Sequence, residues 1–126
     1  MTTTLYPTLH EALELHERLL LRFGGSAGVR DMGLIESALF RPMSGYYSNL
    51  AQQAAAMLQS FACNQPFVDG NKRVAWAITA IFLRMNGYRV VVSMPTAERF
   101  LIDDVIVGKA EIDTIGRWLE QHMQAV

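Results

Sequence analysis

Between Gln65 and Arg73 the chain reads Gln-Pro-Phe-Val-Asp-Gly-Asn-Lys-Arg, just before a long apolar run. One carboxylate, a glycine-asparagine turn and two adjacent cations fall within these nine residues. If a helix starts at Gly70 or Asn71, its first N–H groups lack intrahelical acceptors and point back at the loop. The helix dipole adds partial positive charge there, so the loop suits a phosphate. Gly70 lets an anion approach the backbone and tolerates positive φ. Arg73 offers a planar fork and Lys72 a mobile point charge. Asp69 stands among these donors, and the simplest reason for a carboxylate there is a magnesium ion shared with a diphosphate. Phe67 is the apolar member, expected to plug into the core and anchor the loop. Nothing in the stretch titrates as a proton acceptor near neutral pH. Asp-Gly-Asn is also a common turn, and Lys-Arg after a turn is often a solvated first helical turn. The residues alone leave both readings open.

The elements that must position this loop are mostly helical. Thr8 and Glu11 form a capping box for a first helix over Leu9–Phe23, which Gly24-Gly25 stops. Asp31 can cap a second helix over Met32–Phe40. Arg41–Ser48 carries proline, glycine and two tyrosines, and reads as a short extended flap or hairpin with Met43, Ser44, Gly45, Tyr46 and Tyr47 at its heart. An alanine-rich third helix over Asn49–Asn64 leads into the loop. The fourth, from Asn71 to Asn86, is apolar on most sides and is expected to be the central helix. Tyr88–Val92 reads as extended, followed by helices over Thr96–Val107 and Ile112–Gln124. The fold class is therefore all-α, one domain over residues 1–126 with a short extended element.

Bulk properties narrow the function. A chain of 126 residues, 51% hydrophobic, buries a core without staples and holds one domain. Net charge is −1, so no global basic field recruits nucleic acid and direct nucleic-acid binding is not expected. The single cysteine, Cys63, excludes an internal disulfide and a cysteine-based zinc site. The N-terminal residues lack a basic and an apolar region, so no signal peptide is expected. No apolar run reaches membrane-spanning length. A reducing cytoplasm fits this composition.

Gln65–Arg73 resembles the signature loop of the Fic/Doc family, H-[PX]-F-x-[DE]-[GA]-N-[GK]-R, at eight of nine positions. Arg22–Gly25, Gly28–Asp31 with Gly33–Leu39, and Phe82–Gly87 resemble further parts of the family, so the likeness covers most of the chain. It implies a small all-α bundle with a flap. Two positions divide the family's branches. Lys72 precedes the motif arginine where AMP-transferring members usually have glycine. Trp76 stands where they have a second arginine. Both departures resemble the Doc branch, the death-on-curing toxins of bacterial toxin-antitoxin modules. Such toxins move the γ-phosphoryl group of ATP to a threonine of elongation factor Tu and arrest translation. The resemblance implies ATP and Mg2+ as cofactors, with Asp69 holding the metal. It implies that Gly70, Asn71, Lys72 and Arg73 cradle phosphates, that Phe67 anchors the loop, and that the flap aligns the target by strand-like pairing.

The first residue of the family pattern is histidine, the base that takes the hydroxyl proton. Here it is Gln65. Losing a positioned base typically costs about 10²–10⁴ in rate, so this form is expected to be weak or inactive. Gln65 is either native to a degenerate or binding-only protein, or a one-base change from histidine in an otherwise intact motif. Alternatives to the phosphoryl reading are AMP transfer and a catalytically dead nucleotide- or partner-binding module. His10, His16 and His122 are each expected to serve packing or surface rather than catalysis. No Ser or Thr begins the [ST]-x-x-x-E-[GN] motif of self-inhibited members. Inhibition is therefore expected in trans, from a Phd-type antitoxin covering the first helix and the flap.

Overall fold

A computed structural model describes residues 3–126, so the first two residues of the expected 1–126 domain lie outside the described residues. Among the described residues there are six α-helices, a 3-10 turn, a π-helical turn and two short strands. The architecture is all-α, as the sequence leads one to expect.

Helix α1 spans Leu9–Phe23. Its capping box forms as read: Thr8 Oγ1 accepts from the Glu11 N–H at 3.1 Å, and Glu11 accepts back from the Thr8 N–H at 3.0 Å. Helix α2, Met32–Phe40, starts where Asp31 accepts from the Leu34 N–H. Helix α3 runs Leu50–Asn64 and helix α4 runs Asn71–Met85, with the signature loop between them.

The central helix is α3, not α4. Nine α3 residues are buried, on every side of the helix, against six on α4. The reason is side-chain size. Ala51, Ala54, Ala55, Ala56 and Ala62 let neighbouring helices approach α3 from several directions at once. α4 keeps one face in water, where Lys72, Arg73 and Ile81 are exposed. Its other face brings Val74, Ile78 and Phe82 into the same core as Phe61 and Met57.

The C-terminal part departs further from expectation. Helix α5 begins early, at Met94, because Ser93 caps it and Pro95 suits its first turn. It covers Met94–Arg99 and continues into a wide π-helical turn over Phe100–Val107. Helix α6, Ile112–His122, stops short of Gln124. The chain turns extended at Met123, and strand β2 (Met123–Ala125) pairs antiparallel with β1 (Tyr88–Val90). Backbone bonds from the Val91 N–H to His122 O and from the Val126 N–H to Gly87 O replace the lost helical ones.

The flap also differs. Arg41–Met43 is a 3-10 turn rather than a strand, with Pro42 buried in its first positions, where a fixed φ favours a helical turn. Tyr46–Ser48 form neither helix nor strand, and no strand partner faces them among the described residues. Arg41 is pulled onto α3 instead. Its guanidinium donates to Gln59 Oε1 and Ser60 Oγ, and also to the Tyr47 hydroxyl at 2.7 Å.

Candidate active site

The signature loop is held from both sides by backbone. α3 ends at Gln65, which adopts a left-handed conformation (φ 48°, ψ 62°) and turns the chain back. A strap formed by residues 25–31, between α1 and α2, then lies along the loop. Val29 and Phe67 form an antiparallel bridge. The Val68 N–H donates to Gly28 O, and the N–H groups of Arg30 and Asp31 both donate to Pro66 O. Arg30 adds its side chain, with Nε donating to Gln65 O at 2.7 Å and Nη2 to Asn64 O at 2.6 Å.

Phe67 takes the anchoring place expected of it. It is 1% exposed and stacks on His16 with ring centroids 3.9 Å apart. His16, buried on α1, hydrogen-bonds the Asp69 carbonyl through Nε2 at 2.8 Å, so that nitrogen carries the proton. His16 therefore supports the underside of the loop. Its place on the core face of α1 pointed to packing; its hydrogen bond to the loop left no trace in the sequence.

Asn71 proves to be a clamp. Its Oδ1 accepts from the Phe67 N–H at 2.9 Å and its Nδ2 donates to Phe67 O at 3.0 Å. Both ends of the amide are committed to the loop backbone. Gly70 caps α4 at φ 77°, a region that favours glycine. No side chain caps α4 among the described residues, so the first-turn N–H groups stay available to an anion.

Asp69 is exposed and organised. Its Oδ2 accepts from the Ser26 N–H at 3.0 Å and its Oδ1 from the Gly70 N–H at 2.8 Å. The Ser26 bond first, then the Gly70 bond, hold the carboxyl below the ordinary carboxylate range, and the Arg73 charge adds to this. Gly25 is required beside it, because a Cβ there would sit 2.8 Å from Asp69 Oδ2. Among the described residues no cluster of three His, Cys, Asp or Glu could hold a metal. Asp69 fits a magnesium ion only as a single protein carboxylate, the other ligands being phosphate oxygens and water, which is how magnesium commonly binds. Lys72 and Arg73 are exposed. The Arg73 guanidinium lies 4.8 Å from the Phe23 ring centroid, and Arg22 lies 5.3 Å from the same ring. Phe23, the last residue of α1, is half exposed.

The sequence-predicted residues thus divide. Gln65, Phe67, Asp69, Gly70, Asn71, Lys72 and Arg73 lie on the loop between α3 and α4 and the first turn of α4. No hydrogen bond or aromatic pair links Met43, Ser44, Gly45, Tyr46 or Tyr47 to 65–73 among the described residues. Trp76, one turn into α4, packs edge-on against Trp118 of α6. That position is filled by core packing and not by a phosphate ligand.

The chain is 38% identical over 101 residues to "Toxin Doc" of Mycolicibacterium smegmatis, covering 75% of this chain and 78% of the relative. It is 32% identical over 104 residues to "Protein kinase doc" of Escherichia phage P1, covering 79% and 78%. The model of the Fic/DOC family matches residues 6–83, which span α1, the strap, the signature loop and most of α4. With the loop, its strap and its uncapped helix falling inside the matched segment, the chain belongs to the Fic/DOC family.

Proposed function

We propose that this chain is a Doc-like toxin scaffold, built to move the γ-phosphoryl group of ATP to a protein hydroxyl. The observation that carries this reading is the start of α4. Its first turn has no side-chain cap and follows Asp69 and includes Lys72 and Arg73, while Gln65 O, Pro66 O, both backbone groups of Phe67, the Val68 N–H and Asp69 O are hydrogen-bonded. Such a site binds and orients phosphates and neutralises charge spread over the transferring group, which is most of what phosphoryl transfer needs. Magnesium would be held by Asp69 and would supply further neutralisation.

In the transfer, the acceptor oxygen bonds to the γ-phosphorus, the bond to the bridging oxygen breaks, and ADP leaves. The acceptor's proton must also leave. Gln65 stands where that proton acceptor belongs and cannot take it. The cradle does not depend on that side chain, so nucleotide binding persists while turnover is weak. The acceptor we favour is elongation factor Tu, with arrest of translation in the bacterial cytoplasm as the outcome. An antitoxin of the Phd type acting in trans would restrain the active form. Exposed apolar side chains on α1 and the flap, Leu21, Phe23 and Tyr46, offer it a surface. Among the described residues no helix is long and apolar enough to cross a membrane.

The test is Gln65→His. It is expected to raise transfer from γ-labelled ATP to elongation factor Tu by about 10²–10⁴ and to arrest a bacterial host. Label transferred from the α position instead would identify AMP transfer. Magnesium-dependent ATP binding with no transfer after the substitution would identify a binding module.

A further inference from the structure

Arg30 has no part in the chemistry described so far, yet it makes an unusual pair of bonds. Its fork reaches two successive carbonyls, Nη2 to Asn64 O at 2.6 Å and Nε to Gln65 O at 2.7 Å. Those carbonyls are the last of α3 and the cap residue itself, where the helix leaves acceptors without partners and the dipole is negative. The cap residue is left-handed (φ 48°) although it is not glycine, a region L side chains resist. Something must hold it there. The strap backbone holds the next residues, Pro66 to Val68, but reaches neither Asn64 nor Gln65. Beyond the helix's own bonds, only the Arg30 side chain does so among the described residues.

We propose that Arg30 is a positioning residue for the side chain at position 65. By pinning two consecutive carbonyls it sets the peptide planes around that residue, and so the direction in which its side chain leaves the chain. The same strap donates the Ser26 N–H to Asp69. One segment thus fixes both chemically active ends of the loop, position 65 through a side chain and position 69 through backbone. A planar fork is needed for the first task, since a lysine ammonium is a point charge and cannot set two planes at once. The proposal rests on the phosphotransfer reading for its consequence, but not for its geometry.

The experiment uses Arg30→Lys and Arg30→Gln, each alone and each combined with Gln65→His. In the combined proteins, kcat for transfer from γ-labelled ATP to elongation factor Tu is expected to fall about 10–100-fold, as small misplacements of reacting groups do. KM for ATP should stay within about 2-fold, because the cradle at α4 is untouched. In the single variants, amide hydrogen exchange at Phe67 and Val68 should quicken while the core of α3 stays protected. Lysine restoring full kcat would overturn the proposal, because charge alone would then suffice. So would kcat, KM and melting temperature failing together, the mark of a merely structural role. Should Gln65→His itself transfer nothing, the phosphotransfer reading falls by that control, and the exchange measurement still decides whether Arg30 holds the turn. Unchanged exchange there would overturn it.

Discussion

Two segments of this molecule were marked by the sequence for work on a substrate, and they are built in opposite ways. The signature loop, 65–73, is bonded from α1, from the strap and from its own Asn71, and its anchor Phe67 is buried. The flap, 41–48, is tied down at its base by Arg41 and hardly at all at its tip. Tyr46 is 85% exposed, and a Cβ on Gly45 would meet nothing within 4 Å. Phosphoryl chemistry rewards groups that need no reorganisation when charge develops. Target recognition by an extended segment does not need a preformed strand, because the partner supplies half of the pairing. The contrast is between a loop bonded from several sides and a segment whose tip meets little of the bundle.

The strongest test of that contrast is to remove the loop's anchor. Phe67→Ala deletes a buried ring and its stack on His16, and is expected to cost about 3–5 kcal/mol. For a domain of this size that is roughly 10–20 °C in melting temperature by calorimetry. A loss below about 1 kcal/mol would mean the loop is not part of the core at all. Next in size is Asn71→Ala. It orphans both the N–H and the C=O of the half-enclosed Phe67 backbone, for about 1–3 kcal/mol in a denaturant titration. An unchanged midpoint there, with nucleotide binding lost, would make the Asn71 side chain a phosphate ligand and not a clamp.

Asn71 also shows what the sequence could and could not disclose. The cap residues were legible because capping is written in side-chain types at fixed spacing: Thr8 with Glu11, and Asp31, all cap as read. The loop's charged residues were legible as residue types, and the Arg73 charge does act on Asp69. The strap was not, because it grips with Ser26 N, Gly28 O and Arg30 N, atoms that every ordinary residue carries. The end of α6 was missed because helical periodicity runs on through Gln124, while pairing with β1 claims those residues. α4 read as central because it is apolar. α3 is central because it is small, and packing in several directions follows volume more closely than hydropathy.

Acid should weaken the loop next. Asp69 has a folded-state pKa below its ordinary value of 3.8, while the unfolded chain keeps that ordinary value. The stability its carboxylate adds is therefore present above about pH 4, and is lost as pH falls through the folded pKa. Comparing the protein with Asp69→Ala by urea midpoint should show a gap at pH 7 that closes as pH falls through the lowered folded-state pKa. The subtraction matters, because Glu11 is also held low, first by the Thr8 N–H, and titrates over the same range in both proteins. The gap should be smaller than that for Asn71, since Asp69 lies in water. A gap that widened in acid would mean the two N–H bonds do not stabilise the charged form.

The smallest effect on stability is expected at the flap tip, and it is the most discriminating. Tyr46 meets the Tyr47 ring edge-on at 5.2 Å, and its backbone N–H reaches Ser44 Oγ at a long 3.4 Å. Neither contact ties it to the bundle. Tyr46→Ala should change stability by less than about 0.5 kcal/mol, against several for Phe67. In the Gln65→His protein it should raise KM for the protein acceptor and leave ATP binding by calorimetry unchanged, as expected when a docking contact is lost away from the nucleotide. A loss of stability comparable to that of Asn71→Ala would show the tip to be packed, and the two segments would no longer differ in kind. A fall in ATP affinity would place the flap over the nucleotide instead of the target. Only the combination of an unmoved melting curve, unmoved nucleotide affinity and weakened acceptor binding is what a surface completed by its partner would give, because such a surface contributes to no equilibrium in which the partner is absent.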